Sequence, residues 1–198
     1  MTASVQVHEG KLAWSGDHWI LGIRPQGAEQ PSAWVSLFHT RYSPAGEGIA
    51  AQILLPGDRP ISVICTDQPE VGRFTREQFF SAGSYFDPEA PLVDAQFQRR
   101  GDIRKDPAWI IETDAFRIVA RWQITQPAVV AAGTFCPGTE HFTLLFFSDA
   151  ASVQRDEQSI EGQPYPRDIW KPSIGGERSS CVIALAESLI ELHSDDVK

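Results

Sequence analysis

Apolar and polar residues alternate most clearly over residues 109–124. The positions that share the apolar parity on either side of a central turn are Trp109, Ile111, Ile118, Ala120 and Trp122. Successive side chains of a strand point to opposite faces, so the pattern predicts an antiparallel hairpin in which Ile111 faces Ile118. The turn is either the two residues Asp114 and Ala115 or a four-residue loop in the same register.

Six further segments are short, apolar or alternating, and bounded by turn residues. They cover residues 33–42, 49–55, 61–66, 92–99, 129–135 and 140–148. Fourteen prolines and fifteen glycines separate such segments throughout the chain, which is typical of antiparallel β proteins. A chain of 198 residues is commonly filled by one β-barrel or one β-sandwich, so we expect a single β-rich domain over residues 1–198.

Two places favour helix. The sequence Thr75-Arg76-Glu77-Gln78 has the form of a capping box, which predicts one or two helical turns continuing into Phe79 and Phe80. Apolar residues over 180–193 recur at helical spacing, although a closing strand also fits that segment. We favour helix for its later part, which gives one or two short helices beside the strands.

The composition of the chain argues against two classes of partner, nucleic acids and membranes. The chain carries 17 Lys plus Arg against 26 Asp plus Glu, a net charge of -9, so we expect it not to bind nucleic acid. The densest basic stretch, over residues 99–105, is diluted by acidic residues and is interpreted as a solvated loop. No apolar run approaches the length that crosses a bilayer, and residues 1–11 do not resemble a secretory signal. These features predict a cytoplasmic protein without membrane insertion, although prior removal of a signal peptide stays open.

Metal and cofactor motifs are missing from the sequence. Cys65, Cys136 and Cys181 are an odd number at wide spacing, which favours free buried thiols over a disulfide framework. The five histidines have no ligand spacing, and the glycines at 46 and 48 fit a hairpin loop better than a dinucleotide site. We therefore expect neither a metal nor a cofactor.

Candidate proton-transfer groups lie in two predicted strands. His39 and His141 are each within a strand, and Tyr42 is close to the first of them. These side chain types serve as general acids and bases, so His39, Tyr42 and His141 are the candidate catalytic residues. Structural histidines and tyrosines in strands have the same pattern, and that interpretation stays open.

Six tryptophans in 198 residues are the most informative compositional feature. Tryptophan combines a large apolar ring with an N–H donor, so several inward-facing copies build either a bulky core or a cavity for an apolar ligand. For the cavity interpretation, the candidate ligand-binding residues are Trp34, Phe38, Phe97, Trp109, Trp122 and Phe142.

The segment Gly16-Asp17-His18-Trp19, followed by hairpin-rich strands and an apolar C-terminal segment, resembles the lipocalin-type, or calycin, barrels. These include the single barrels of carotenoid-hydratase-like and cyclase proteins. The family pattern is Gly-x-Trp, whereas two residues separate Gly16 from Trp19 here. The resemblance implies a closed antiparallel barrel with an internal pocket for a hydrophobic small molecule. A β-sandwich is the alternative architecture.

Three functions follow as hypotheses. The first is binding of a small, largely apolar molecule inside a barrel. The second is a cofactor-independent isomerase, cyclase or hydratase that uses the same cavity. The third is a protein interaction module with exposed aromatic side chains, and self-association into a homo-oligomer is compatible with any of the three.

Overall fold

The computed structural model describes residues 9–82 and 85–192, apart from the side chains of Ala82, Phe135, Trp170, Ser173 and Ile174. Most of the described residues lie in strands. In chain order the strands are β1 Gly10–Ile23, β2 Ala33–Tyr42, β3 Gly48–Leu55, β4 Ile61–Thr66, β5 Leu92–Asp94, β6 Gln96–Arg100, β7 Ala108–Glu112, β8 Arg117–Gln123, β9 Val129–Cys136, β10 Thr139–Phe147, β11 Ala150–Arg155, β12 Gln158–Ile160, β13 Pro166–Arg167, β14 Arg178–Ser179 and β15 Val182–Leu192. The helices are α1 Pro69–Gln78 and α2 Lys171–Ile174, with 3₁₀ turns at Phe80–Ala82 and Asp168–Trp170.

These strands form two large sheets and one small ribbon. The larger sheet has the order β5-β4-β3-β2-β1-β15-β10-β9, and the smaller has the order β12-β11-β8-β7-β6. The ribbon pairs β13 with β14. Pairing is antiparallel except between β4 and β5, which confirms a mainly antiparallel β fold. Among the described residues both large sheets stay open, so a closed barrel is not found there and remains a prediction.

The hairpin of β7 and β8 has the predicted register. Ile111 pairs with Ile118 and Trp109 pairs with Ala120. The connection is the four-residue alternative, because the strands end at Glu112 and resume at Arg117. The Thr113 hydroxyl accepts hydrogen bonds from two backbone N–H groups of this loop and donates to the Phe116 carbonyl. The Thr113 N–H also donates to the Phe116 carbonyl at 3.0 Å, so the side chain adds to a backbone bond that closes the loop.

Strand β1 is central to the larger sheet but was not predicted from the pattern. Its ladders shift register between Leu12 and Trp14 and again between Gly16 and His18. Each bulge inserts one residue and reverses the alternation beyond it, so no period of two persists along the strand. Glycines inside the strand weaken the pattern further.

The preference for helix in the later part of residues 180–193 is wrong for the residues that the structure describes, which include all but His193, and the alternative of a closing strand is confirmed. Residues 182–192 form β15, between β1 and β10. The pairing with β10 shifts register between Leu185 and Ser188, and Ala186 has a φ of 50°. A bulge brings residues three apart onto one face, which imitates helical spacing.

A short helix lies where the capping box predicts one, but Thr75 is not its N-cap. Helix α1 begins at Pro69, seven residues before the first helical position that a Thr75 cap implies, and the fixed φ of proline suits a first helical position. Thr75 lies in the middle of the helix, where its hydroxyl donates to the Val71 carbonyl. The helix continues to Gln78, and a 3₁₀ turn follows at Phe80–Ala82.

The larger sheet is covered on both faces. One face shares a core with the smaller sheet, and its buried members include Trp19, Val35, Ile53, Trp109 and Trp122. The opposite face packs against α1 and the segment that follows it, through Trp14, Phe38, Ile64 and Phe80. Successive side chains of a strand point to opposite faces. In β1, β2 and β3, the residues that alternate with Trp19, Val35 and Ile53 therefore point to the α1 side of the sheet.

Candidate functional site

A cleft of about 270 Å³ lies on the α1 side of the larger sheet. Its apolar lining consists of Ile20, Trp34, Phe38, Phe79, Phe80 and Ile169. Its polar lining consists of His18, Ser36, Gln52 and Arg167. Mostly aromatic walls with a few converging polar groups are typical of small-molecule sites.

The floor of the cleft is built by neighbouring strands. Ser36 of β2 lies opposite Ile20 of β1 on one side and Gln52 of β3 on the other. Cross-strand partners point to the same face, so this row places two polar side chains under the aromatic walls. The Gln52 side-chain amide donates to the Tyr85 carbonyl at 2.8 Å, which ties the floor to the loop above it.

His18 is the titratable group at the floor. Its Nε2 lies 2.9 Å from the Ser36 hydroxyl, and its ring stacks on Phe38 with centroids 3.7 Å apart. Burial lowers the pKa of His18 to about 4, with a smaller lowering by the Arg167 cation and an opposing effect of Glu187. The imidazole is therefore neutral at pH 7, and it can accept or donate a hydrogen bond depending on its tautomer.

Arg167 stands at one rim of the cleft. Its guanidinium carbon lies 5.0 Å from the centroid of the Trp34 ring, a cation–π contact. The Trp34 ring packs on Tyr85, with centroids 4.7 Å apart, and the Tyr85 and Tyr165 hydroxyls are 3.2 Å apart. Burial lowers the pKa of Arg167 and raises that of Tyr165. Both shifts have the same cause, because each disfavours the charged form of a group removed from water.

A close approach at Gly22 fixes the Trp34 ring. A Cβ at Gly22 would lie 2.8 Å from two ring carbons of Trp34 and 3.1 Å from the Tyr165 hydroxyl oxygen. The Gly22 carbonyl also accepts a hydrogen bond from the Ser180 hydroxyl at 2.6 Å. Glycine is therefore required for the cleft wall to sit against β1.

A second groove of about 480 Å³ adjoins the cleft. Phe79 lines both, and its ring stacks on Phe38 with centroids 4.6 Å apart. Trp14, Phe74 and Leu189 contribute to the groove beyond it. The Phe79 side chain is thus a wall shared by two adjacent apolar spaces.

The structure separates the predicted ligand-binding residues. Trp34 and Phe38 line the cleft. Trp109 and Trp122, only 2% and 1% exposed, pack edge to face on Trp19 between the two sheets. Phe97 packs against the same core, whereas Phe142 is 45% exposed on β10. The ligand role of these four residues remains a prediction.

The predicted catalytic residues do not meet. His39 faces the smaller sheet, where its ring contacts Trp109 and its Nδ1 lies 4.0 Å from an Asp17 carboxylate oxygen. His141 lies on β10, with its Nε2 at 2.9 Å from Glu187 Oε1. Tyr42 is 43% exposed near the end of β2. None of the three is among the described residues that line the cleft.

His18, Ser36, Gln52 and Arg167 were not singled out from the sequence. The sequence does mark two of these residues, because Ser36 interrupts the apolar run 33–38 and Gln52 interrupts the apolar run 49–55. A polar residue inside such a strand needs a hydrogen-bond partner, and this marks the position for attention. His18 lies within the Gly16–Trp19 segment, but only as part of a family resemblance. Arg167 has no comparable sequence signal.

Another depression, of about 490 Å³, lies where β8 ends and β11 begins. Its polar lining includes Lys105, Asp106, Arg121 and Gln123. Trp122 borders it, but that indole is directed inward and donates to the Ile20 carbonyl at 2.9 Å. The cleft at Trp34 offers a lipophilic wall that this depression does not.

The remaining predictions concern the three cysteines, metal ligands and membrane-spanning helices. Cys65, Cys136 and Cys181 are free, as predicted; Cys65 and Cys181 are buried, but Cys136 is exposed, so the expectation of a buried thiol is wrong there. Within residues 9–82 and 85–192, no three His, Cys, Asp or Glu side chains are placed to hold a metal ion. In the same residues, no helix is long and apolar enough to cross a membrane.

No protein-family model, no curated protein and no solved structure matches this chain.

Proposed function

We propose that the protein binds a small, largely apolar molecule in the cleft between Trp34, Phe38, Phe79 and Phe80. The observation that carries this proposal is the convergence of four polar side chains on an aromatic cleft of about 270 Å³. Burial of a ligand against these rings removes apolar surface from water, and the polar groups orient it.

This location differs from the barrel interior that the family resemblance implies. In a calycin-type barrel the ligand would lie between the facing sheets. In this chain that space contains Trp19 in ring contact with Trp109 and with Trp122, at centroid distances of 5.8 and 5.4 Å. A ligand there would have to displace packed side chains, which is costly, whereas the α1-side cleft needs no such displacement.

A cofactor-independent isomerase, cyclase or hydratase is the second candidate. The observation that favours it is the His18 imidazole, which is neutral, hydrogen-bonded to Ser36 and directed into the same cleft. A neutral imidazole can take a proton from a bound substrate and return it at another position. In that function His18, rather than His39, Tyr42 or His141, is the proton-transfer group.

The test is calorimetric titration with isoprenoid-like and polyketide-like compounds, followed in parallel by tryptophan emission. Affinities near micromolar, about -8 kcal/mol, are expected for a ligand that loses most of its surface to the cleft. Trp34→Phe should remove most of the emission change, because Trp34 is the tryptophan that lines the cleft among the side chains that the structure describes.

Trp122→Phe is the matched control, because it replaces an indole that lies in the other core. This variant should keep the wild-type affinity and most of the emission change. The proposal fails if no compound binds, or if Trp122→Phe abolishes the response while Trp34→Phe preserves it.

A further inference from the structure

We infer that the ligand carries an anionic head group, a carboxylate, that the Arg167 guanidinium binds at the rim of the cleft. This inference rests on the proposed function and specifies the class of ligand. It follows from the position of one cation relative to the apolar walls.

The Arg167 side chain lines the cleft, where a bound ligand would contact it. It lines the same cleft as Phe38 and Phe80, and its guanidinium carbon is 5.0 Å from the Trp34 ring centroid. A guanidinium lying over an aromatic face keeps its N–H donors in the plane of the group, where a carboxylate can be bound by two parallel hydrogen bonds. A guanidinium has five such donors, so an anion can be bound in addition to existing partners.

Two acidic side chains near Arg167 in sequence are ion-paired with Lys171, and a third is hydrogen-bonded to a histidine. Asp168 follows Arg167 directly, but its carboxylate lies 2.9 Å from Lys171 Nζ. Glu177 lies 3.2 Å from the same ammonium. Glu187, whose field reaches His18, is 2.9 Å from His141 Nε2. Asp168 and Glu177 are therefore each held by an ammonium other than the Arg167 guanidinium.

The opposite end of the cleft suits the rest of such a molecule. Phe79, Phe80 and Phe38 supply stacked and edge-on rings, and the apolar groove continues beyond Phe79. An apolar chain would lie along these rings while its acid group meets Arg167. A cationic head group at the same position would instead be repelled by the guanidinium.

The experiment compares three probes of equal chain length, octanoate, octan-1-ol and octylamine, by calorimetry at pH 7. Wild-type protein should bind octanoate about tenfold more tightly than octan-1-ol, since a charge-assisted pair replaces a neutral contact, and octylamine most weakly. Arg167→Gln should bring octanoate and octan-1-ol within about twofold of each other. Arg178→Gln removes the cation that faces Arg167 across the β13–β14 ribbon and should keep the preference.

The outcomes separate this inference from the function on which it rests. If octan-1-ol binds the wild-type protein as tightly as octanoate, or if Arg167→Gln keeps the preference, the anionic head group is wrong while ligand binding stands. If none of the three probes nor the isoprenoid-like compounds binds, both proposals fall. The comparison of probes on wild-type protein needs no variant, so it decides the inference even if Arg167→Gln does not fold.

Discussion

The Nε2 atom of His18 lies 2.9 Å from the Ser36 hydroxyl oxygen, across the ladder that joins β1 to β2. The pair sits beneath aromatic rings that remove the imidazole from water, and this burial lowers the pKa of His18 to about 4 from an ordinary 6.5. The same contact therefore places a neutral base in the cleft and makes the stability of the protein depend on pH.

Between pH 6.5 and 4 the protein should lose stability as pH falls. In this window the unfolded chain binds a proton at His18 that the folded chain does not, so the free energy of unfolding decreases with decreasing pH. The contribution of His18 is about 2 kcal/mol after allowance for its partial exposure. Urea unfolding at pH 7 and at pH 4.5 measures it.

His18→Gln is the test of this assignment, since glutamine can still bond Ser36 but does not titrate. Part of the pH dependence should remain in this variant, because burial also lowers the pKa of His39. An equal loss of stability in the wild type and in His18→Gln between the two pH values would contradict the assignment.

Phe79→Ala should join the cleft to the adjoining groove. The Phe79 ring is the wall that both spaces share, and it stacks on Phe38. We expect longer apolar ligands to bind the variant more tightly relative to shorter ones, measured as the ratio of the Kd values of dodecanoate and octanoate. Stability should fall by about 3 kcal/mol through loss of ring packing.

Phe74→Ala is a control for this effect, because Phe74 lines the groove without reaching the cleft. It should change the Kd of octanoate little. An unchanged ratio of the two Kd values in Phe79→Ala would show that the two spaces do not act together.

Gly22→Ala should weaken ligand binding by displacing the cleft wall. The added methyl would lie 2.8 Å from ring carbons of Trp34, closer than carbon atoms pack, so the indole or the strand must shift. Overpacking of this kind costs about 1–3 kcal/mol of stability. Gly27→Ala, where φ is 81° but no atom lies within 4 Å, is a control for strain without crowding. Equal ligand affinities in wild type and Gly22→Ala would argue against this role of the glycine.

Thiol labelling at pH 8 should distinguish the three cysteines. Cys136 is exposed and should react in the native protein. Burial raises the pKa of Cys65 and of Cys181 to about 12, so these thiols are both inaccessible and protonated. A colorimetric thiol reagent should count one thiol in the native state and three in denaturant without reductant. Three fast-reacting thiols in the folded protein would contradict the two buried positions.

Local alternation was sufficient for much of the strand pattern. The bounds predicted for residues 33–42 and 61–66 coincide with β2 and β4. The pairing of Ile111 with Ile118 was likewise predicted, because a short turn limits which residues can meet and a slip of one residue would invert both faces. These features depend on neighbours in sequence, so the sequence by itself determined them.

The same reasoning failed where one inserted residue changed the parity. In β1 and β15 the bulges near Gly16 and Ala186 break the period of two, and the pattern then matched no strand in the first case and a helix in the second. Such a bulge is held in place by the neighbouring strands, which the sequence of one strand does not specify.

The cleft was decided by the tertiary structure. Trp34 and Phe38 were candidates from their type, but the order of strands placed them with Ser36 and Gln52 on the α1 side, while Trp109 and Trp122 entered the other core. Arg167 reaches the same cleft from a ribbon far along the chain. Sequence periodicity indicates which side chains share a face of a strand. Which element covers that face depends on long-range packing, because the fold buries apolar surface from the whole chain together.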